Sequence, residues 1–232
     1  MGIANYLLQD IISLLFPNLC SGCNRQMYHG ESYICSKCLH QIPFTDHHQH
    51  ADNAVARQFW GKFPFHAAMA MLYFRKGARV QNIIHQLKYG NQPKLGVKLG
   101  ALIAERLQLS PFYEQIDLIV PVPMHKKKER QRGYNQSLCI AQGISAVLKV
   151  PVNTTGLIKK NKTETQTSKG RYQRYENMKA VFTVADPIIF TDKHILLVDD
   201  VITTGATIEA CALELIKIPV KKLSIAGAAF AE

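Results

Sequence analysis

The sequence predicts an α/β fold, a mainly parallel sheet flanked by helices, with a small zinc-ribbon-like module at its N-terminus. Three observations carry this. From residue 67 onward, short apolar runs alternate with longer segments of helical periodicity, the order that builds a parallel sheet through crossover helices. The first 60 residues instead carry two C-x-x-C pairs, Cys20/Cys23 and Cys35/Cys38. One apolar run then ends in two adjacent carboxylates, a turn of hydroxyl residues and glycine, and a new helix, which marks the ligand-binding end of such a sheet. The expected division is 1–60 for the N-terminal helix and four-cysteine module and 61–232 for the main domain.

Residues 6–16 open the chain as an amphipathic helix with Leu7, Ile11, Leu14 and Leu15 on one face. Gln9, Asp10 and Ser13 interrupt it, and it is too short to span a bilayer. It has neither a basic leading region nor a small-residue cleavage site, so it is a poor export signal. Docking on the body is the expectation; a membrane surface or a partner helix is the alternative, weakened by a polar face without Lys or Arg. The chain is expected in the reducing cytoplasm, where disulfides are rare.

Two residues between paired thiolates let a tight turn aim both sulfurs at one tetrahedral centre, and two such turns complete a four-thiolate shell. Cys20, Cys23, Cys35 and Cys38 are therefore expected to hold a structural Zn²⁺, with a small hairpin over residues 27–34 filling the gap and Gly22 easing the first turn. A closed shell leaves no open position for a substrate. Some 60 residues bury too little to be stable alone, so the metal stabilises the module. A redox dithiol or a disulfide pair is the alternative. Cys139 and Cys211 lie in apolar helical patterns and read as buried thiols. The tract Asp46-His47-His48-Gln49-His50 reads as a solvated linker, or else as a metal-binding run.

The body follows in order. Strands are expected at 67–73, 116–120, 182–184, 194–198 and 223–230, and an extended stretch at 150–158. Helical periodicity covers 80–88, 95–109, 134–148 and 206–217. The strand at 194–198 runs into Asp199-Asp200-Val201-Ile202-Thr203-Thr204-Gly205-Ala206-Thr207. The free N–H groups of that turn and of the following helix form an anion site, to which Thr203, Thr204 and Thr207 add hydroxyl donors. Like charges keep Asp199 and Asp200 off a phosphate, but they accept hydrogen bonds from sugar hydroxyls or hold a hydrated cation. The composite ligand is a sugar phosphate. The Walker A spacing is absent.

Charge is as uneven as the chemistry. Of the net +11, residues 125–180 hold thirteen Lys/Arg against three Glu, a net +10. Such a segment faces anions: nucleotides, pyrophosphate, nucleic acid or an anionic membrane. Residues 125–132 supply five of these cations on a loop after a strand, and residues 159–179 supply seven. Tyr134, Tyr172 and Tyr175 interleave with them, either to stack bases or to pack helices.

The acidic pair and Thr-Thr-Gly-x-Thr turn resemble the phosphoribosyl-pyrophosphate (PRPP) motif of type I phosphoribosyltransferases. Several further motifs, in order, resemble the ComF/GntX family: the four cysteines, Leu87-Lys88-Tyr89, Val120-Pro121-Val122-Pro123, Arg130-x-Arg132-Gly133-Tyr134-Asn135-Gln136, Thr163-x-x-Gln166, Arg171, Asn177 and Phe182. The type I resemblance implies that fold, with PRPP on Asp199, Asp200, Thr203, Thr204, Gly205, Ala206 and Thr207 and with Mg²⁺ beside it. It implies pyrophosphate near residues 121–126, with His125, Lys126, Arg130 and Arg132 as the expected contacts, Asn135 and Gln136 as further donors, and residues 159–179 as a mobile loop closing over the substrate. The ComF resemblance implies a role in natural transformation, with single-stranded DNA handled beside a competence helicase and recombination proteins; Lys159, Lys160, Lys162, Lys169, Arg171 and Arg174 are the candidate DNA contacts. The alternative is an active phosphoribosyltransferase in metabolism. No side chain stands out as a catalytic acid or base for an acceptor.

Overall fold

The computed structural model describes residues 17–75, 77–160 and 181–231. The expected helix at 6–16 lies outside them, as do Lys162, Lys169, Arg171 and Arg174. In chain order the elements are α1 (Ser36–Gln41), α2 (Ala54–Phe59), β1 (Ala67–Phe74), α3 (Arg79–Tyr89), α4 (Pro93–Gln108) and β2 (Leu118–Pro121). There follow α5 (Lys126–Arg132), α6 (Gln136–Leu148), β3 (Leu157–Lys159), β4 (Phe182–Val184), β5 (His194–Ile202), α7 (Ala206–Leu215) and β6 (Lys222–Ala231).

Four strands form one parallel sheet in the order β1-β6-β5-β2. Their runs are apolar on both faces because both faces are covered. Met69, Met71, Leu196, Val198 and Ala226 face a core shared with α3, α4 and α6. Ala68, Ala70, Ile195, Leu197 and Ile225 face a second core with α2, α7 and Phe190. Helices α4 and α6 cross at backbone contact. A Cβ on Gly100 would sit 2.0 Å from the Ile140 carbonyl oxygen, and one on Gly143 would sit 2.1 Å from that of Val97.

The N-terminal module packs into the first of these cores through Cys20, Ile34, Cys35, Cys38 and Ile42. The hairpin expected over 27–34 is not there. Instead Leu19 bridges Gln26 across the first cysteine turn, Ser32 bridges Ile34, and α1 carries Cys38. The expectation of a solvated histidine linker is also wrong. Residues 43–45 run against β1, with Tyr73 N–H donating to Pro43 O at 3.0 Å and Thr45 N–H to Met71 O at 2.9 Å. The next residues form a 3-10 turn, His47–Gln49, with His47 and His48 buried. His47 stands edge-on to Tyr73 and Phe230. Asn53 secures the segment: its amide donates to the carbonyls of His47, His50 and Ala68, and its Oδ1 caps α2.

The stretch 150–158 is less regular than expected. Val152 makes one parallel bridge to Ile119, and pairing resumes only at β3, which forms an antiparallel ribbon with β4. Cys139 and Cys211 are buried thiols, as read from the sequence.

His194 opens β5 and is 1 % exposed. Its Nδ1 donates to the Glu114 carbonyl at 3.1 Å, which leaves Nε2 to accept from Ser224 Oγ at 2.9 Å. Burial holds this imidazole below its usual 6.5, although the Glu114 carbonyl opposes the shift. The unfolded chain therefore takes up a proton first as pH falls through about 6.5, and stability drops with it, by at most about 1.4 kcal/mol per pH unit. In urea titrations at pH 7 and pH 5, His194→Gln is expected to flatten the pH dependence relative to the parent. Equal slopes for the two proteins would refute this.

Candidate functional site

The end of β2 lies beside β5 just before its acidic pair, because Pro121 pairs with Val198 and Val122 N–H donates to Val198 O at 2.8 Å. The acidic pair sits within β5 itself, which runs four residues beyond the expected end, to Ile202. Asp199 Oδ1 accepts from Ser137 Oγ at 2.9 Å and from the Asp200 N–H at 2.8 Å. Burial, then the neighbouring Asp200 charge, pushes the Asp199 carboxyl up to about 7. Asp200 Oδ2 pairs with Lys88 Nζ at 3.1 Å, and Oδ1 accepts from Val201 N–H at 2.7 Å. Lys88 was not among the sequence-predicted site residues. In the sequence Leu87-Lys88-Tyr89 is only a mark of the family resemblance, because nothing local tells that the end of α3 reaches β5.

Beyond Ile202 the chain turns through exposed Thr203 and Thr204 into α7, whose exposed first turn carries Thr207. Gly205 precedes the helix at φ +73°, with the ring of Phe59 beneath it. Thr204 Oγ1 accepts from Ala206 N–H at 3.4 Å. Gln58 of α2 donates to the Thr203 carbonyl, a support from a helix 145 residues earlier that no local pattern signals. This brings Asp199, Asp200, Thr203, Thr204, Gly205, Ala206 and Thr207 together at one end of the sheet. The leading N–H groups of α7 have no partner within the helix, an arrangement that can accept an anion.

The segment 125–132 is a helix rather than a loop. His125 caps α5 by accepting from Lys127 N–H at 3.1 Å, and Gly133 ends it at φ +83°. Periodicity misses α5 because all its residues are polar and none is buried. Lys126 and Arg130 are exposed. Arg132 donates to Gln136 Oε1 at 3.1 Å and lies 5.3 Å above the Tyr89 ring.

Three further motif residues pack inward, while Thr163, Gln166, Arg171 and Asn177 lie outside the described residues. Asn135 caps α6 and donates to Val122 O at 3.1 Å, and Gln136 is fully buried, so neither presents its side chain to an open face. The Tyr134 hydroxyl donates to Leu87 O at 2.5 Å and accepts from Gln92 N–H at 3.2 Å; it packs helices rather than offering a stacking face. Of the candidate DNA contacts, Lys160 is exposed. Lys159 is half-buried with its ammonium 5.0 Å from the Phe182 ring, and burial lowers its pKa.

The four-cysteine centre is as compact as a metal shell requires. The sulfurs of Cys20, Cys23, Cys35 and Cys38 all lie within 4.8 Å of one another, and those of Cys23 and Cys35 are 3.8 Å apart. Zinc–thiolate bonds of about 2.3 Å in a tetrahedron separate sulfurs by about 3.8 Å. Backbone N–H groups of Gly22 and Cys35 point at Cys20 Sγ, at 3.4 and 3.2 Å, and Cys38 N–H points at Cys35 Sγ. Burial pushes the Cys20 thiol up, but N–H groups from Cys35, Cys23 and Gly22 outweigh it and bring the thiol to about 7. Burial and the neighbouring sulfurs push Cys35 and Cys38 up. Four sulfurs crowded this way fit a bound cation, which holds all of them as thiolates. A Cβ at Gly22 would lie 3.1 Å from Cys38 Sγ, a tight contact at the centre.

Among the described residues no helix is long and apolar enough to cross a membrane. Several curated proteins match nearly the whole chain, two of them as follows. "Competence protein F" of Haemophilus influenzae is 29 % identical over 218 residues, covering 91 % of this chain and 90 % of that one. "DNA utilization protein YhgH" of Escherichia coli K12 is 25 % identical over 220 residues, covering 88 % and 93 %. Both agree with the ComF/GntX resemblance of the motifs. Among solved structures, glutamine phosphoribosylpyrophosphate amidotransferase from B. subtilis is similar with a TM-score of 0.45 and 17 % identity, over 62 % of this chain and 30 % of that longer one. Residues 85–230 match the family described as "Phosphoribosyl transferase domain", a span that runs from α3 into β6 and includes the acidic pair and its turn. The chain therefore belongs to the phosphoribosyl transferase domain family.

Proposed function

We propose that this protein serves DNA utilization of the competence type and binds PRPP, or a closely related phosphoribosyl ligand, at the end of β5. The observation that carries the reading is the junction of the Asp199–Asp200 pair with the exposed threonine turn at the start of α7. There α7 N–H groups and the hydroxyls of Thr203, Thr204 and Thr207 donate to the 5-phosphate. Asp199 and Asp200 accept from the ribose hydroxyls. Lys126, Arg130 and Arg132 supply positive charge for the pyrophosphate. Asp200 exchanges Lys88 for the ligand, which leaves the Lys88 ammonium facing incoming phosphate oxygens. The hard oxygen donors of the pair fit Mg²⁺, which would neutralise pyrophosphate charge when it arrives with the ligand. The names of the two relatives support the DNA-utilization part.

A thermal-shift titration tests the site. At about one hundred times its Kd, PRPP with Mg²⁺ is expected to add about 2.7 kcal/mol, which moves the melting temperature by roughly 5–10 °C for a chain of this size. Asp199→Asn with Asp200→Asn is expected to abolish most of that shift. No shift in the parent protein would refute the site. Pyrophosphate release on adding candidate acceptors would favour the transferase reading instead.

A further inference from the structure

A cleft of about 610 Å³ opens between the end of α3 and α5. Lys88, Lys128, Arg130 and Arg132 line it together with Tyr89, and no acidic side chain does. Tyr89 is 65 % exposed, although its neighbour Leu87 is fully buried. The Arg132 guanidinium lies 5.3 Å over its ring, and the His85 ring is 5.0 Å away on the same helix. Pyrophosphate has no use for an aromatic ring. A base does, because each base has a π-face, and the phosphates on either side of it need cations.

We propose that this cleft binds single-stranded DNA, with Tyr89 stacking a base and Lys128 meeting a flanking phosphate, while Arg130 and Arg132 are shared with the pyrophosphate of the phosphoribosyl ligand. The proposal rests on the DNA-utilization reading and gives the strand a place other than residues 159–179. Tyr134, the one tyrosine of the basic segment among the described residues, is turned inward, whereas Tyr89 is exposed beside the cations. Lys88 touches both this cleft and Asp200, so a strand held here lies against the proposed phosphoribosyl site.

Binding of labelled oligo(dT), followed by anisotropy at about 50 mM salt and upward, tests it. Tyr89→Ala is expected to weaken binding about five- to tenfold or more, the loss of one stacked base. Tyr89→Trp should keep the affinity, and its fluorescence should be quenched on binding beyond the change seen from Trp60 in the parent. Lys128→Ala should lower the slope of log K against log salt by about 0.7. The PRPP thermal shift should survive Tyr89→Ala. If the parent binds oligo(dT) and both alanine variants match it in affinity and salt slope, the cleft is overturned and the DNA reading stands. If the parent fails to bind at low salt, both are overturned.

Discussion

Cys38→Ser is expected to abolish stoichiometric zinc binding and to melt the N-terminal module. Metal binding to such modules supplies on the order of 10–16 kcal/mol, comparable to or larger than the 5–15 kcal/mol by which whole domains are stable. The damage should spread beyond the module. Cys38 is 1 % exposed and shares a core with β1, α3 and α4. Residues 17–60 should become open to limited proteolysis, and the melting temperature of the remainder should fall. A chelator should reproduce both effects in the parent. Cys139→Ser, whose thiol lies in α6 away from the centre, should keep its zinc. A paired disulfide would behave oppositely, resisting chelator and melting under reductant. Parent protein that melts at the same temperature with and without metal would refute the zinc assignment.

The second large effect is expected at Gly205. Its φ of +73° disfavours any side chain, and a Cβ there would lie 2.6 Å from Phe59 Cε1. Left-handed backbone costs a non-glycine residue roughly 1–2 kcal/mol, and overpacking adds roughly 1–3 kcal/mol. Gly205→Val should therefore lose about 2–5 kcal/mol in urea unfolding. It should also lose the PRPP shift at temperatures where it remains folded, because the turn that presents Thr203 and Thr204 is displaced. Adding Phe59→Leu to Gly205→Ala should recover part of the stability and isolate the steric share from the backbone share. A Gly205→Val protein with parental stability and PRPP response would refute this account of the turn.

The sheet was legible in the sequence because both its faces are buried. Such strands read as unbroken apolar runs, and β1 and β6 fall within a residue or so of expectation. The acidic pair and threonine turn were legible because their chemistry is local: seven of the site's residues are consecutive or nearly so. What stayed hidden depends on tertiary neighbours. Lys88 and Gln58 reach the site from helices far off in sequence, and only folding brings their polar ends to Asp200 and Thr203. His47 and His48 look like solvent-facing residues, but Asn53 and the edge of β1 draw them inside. Helix α5 has no apolar stripe to betray it and relies on its two caps.

The position of β6 sets the order in which the molecule can be made. This strand lies between β1 and β5, with Ala67 paired to Ser224 and Ile195 to Leu223. Until residues 222–231 have left the ribosome, β1 has no partner in the sheet and β5 pairs only with β2. The nascent chain must therefore keep an apolar strand and the inner face of the four-cysteine module waiting for β6, which suits slow closure and an interval of chaperone dependence. A stop placed before residue 222 would leave β1 unpaired and β5 paired to β2 alone, rather than a trimmed sheet.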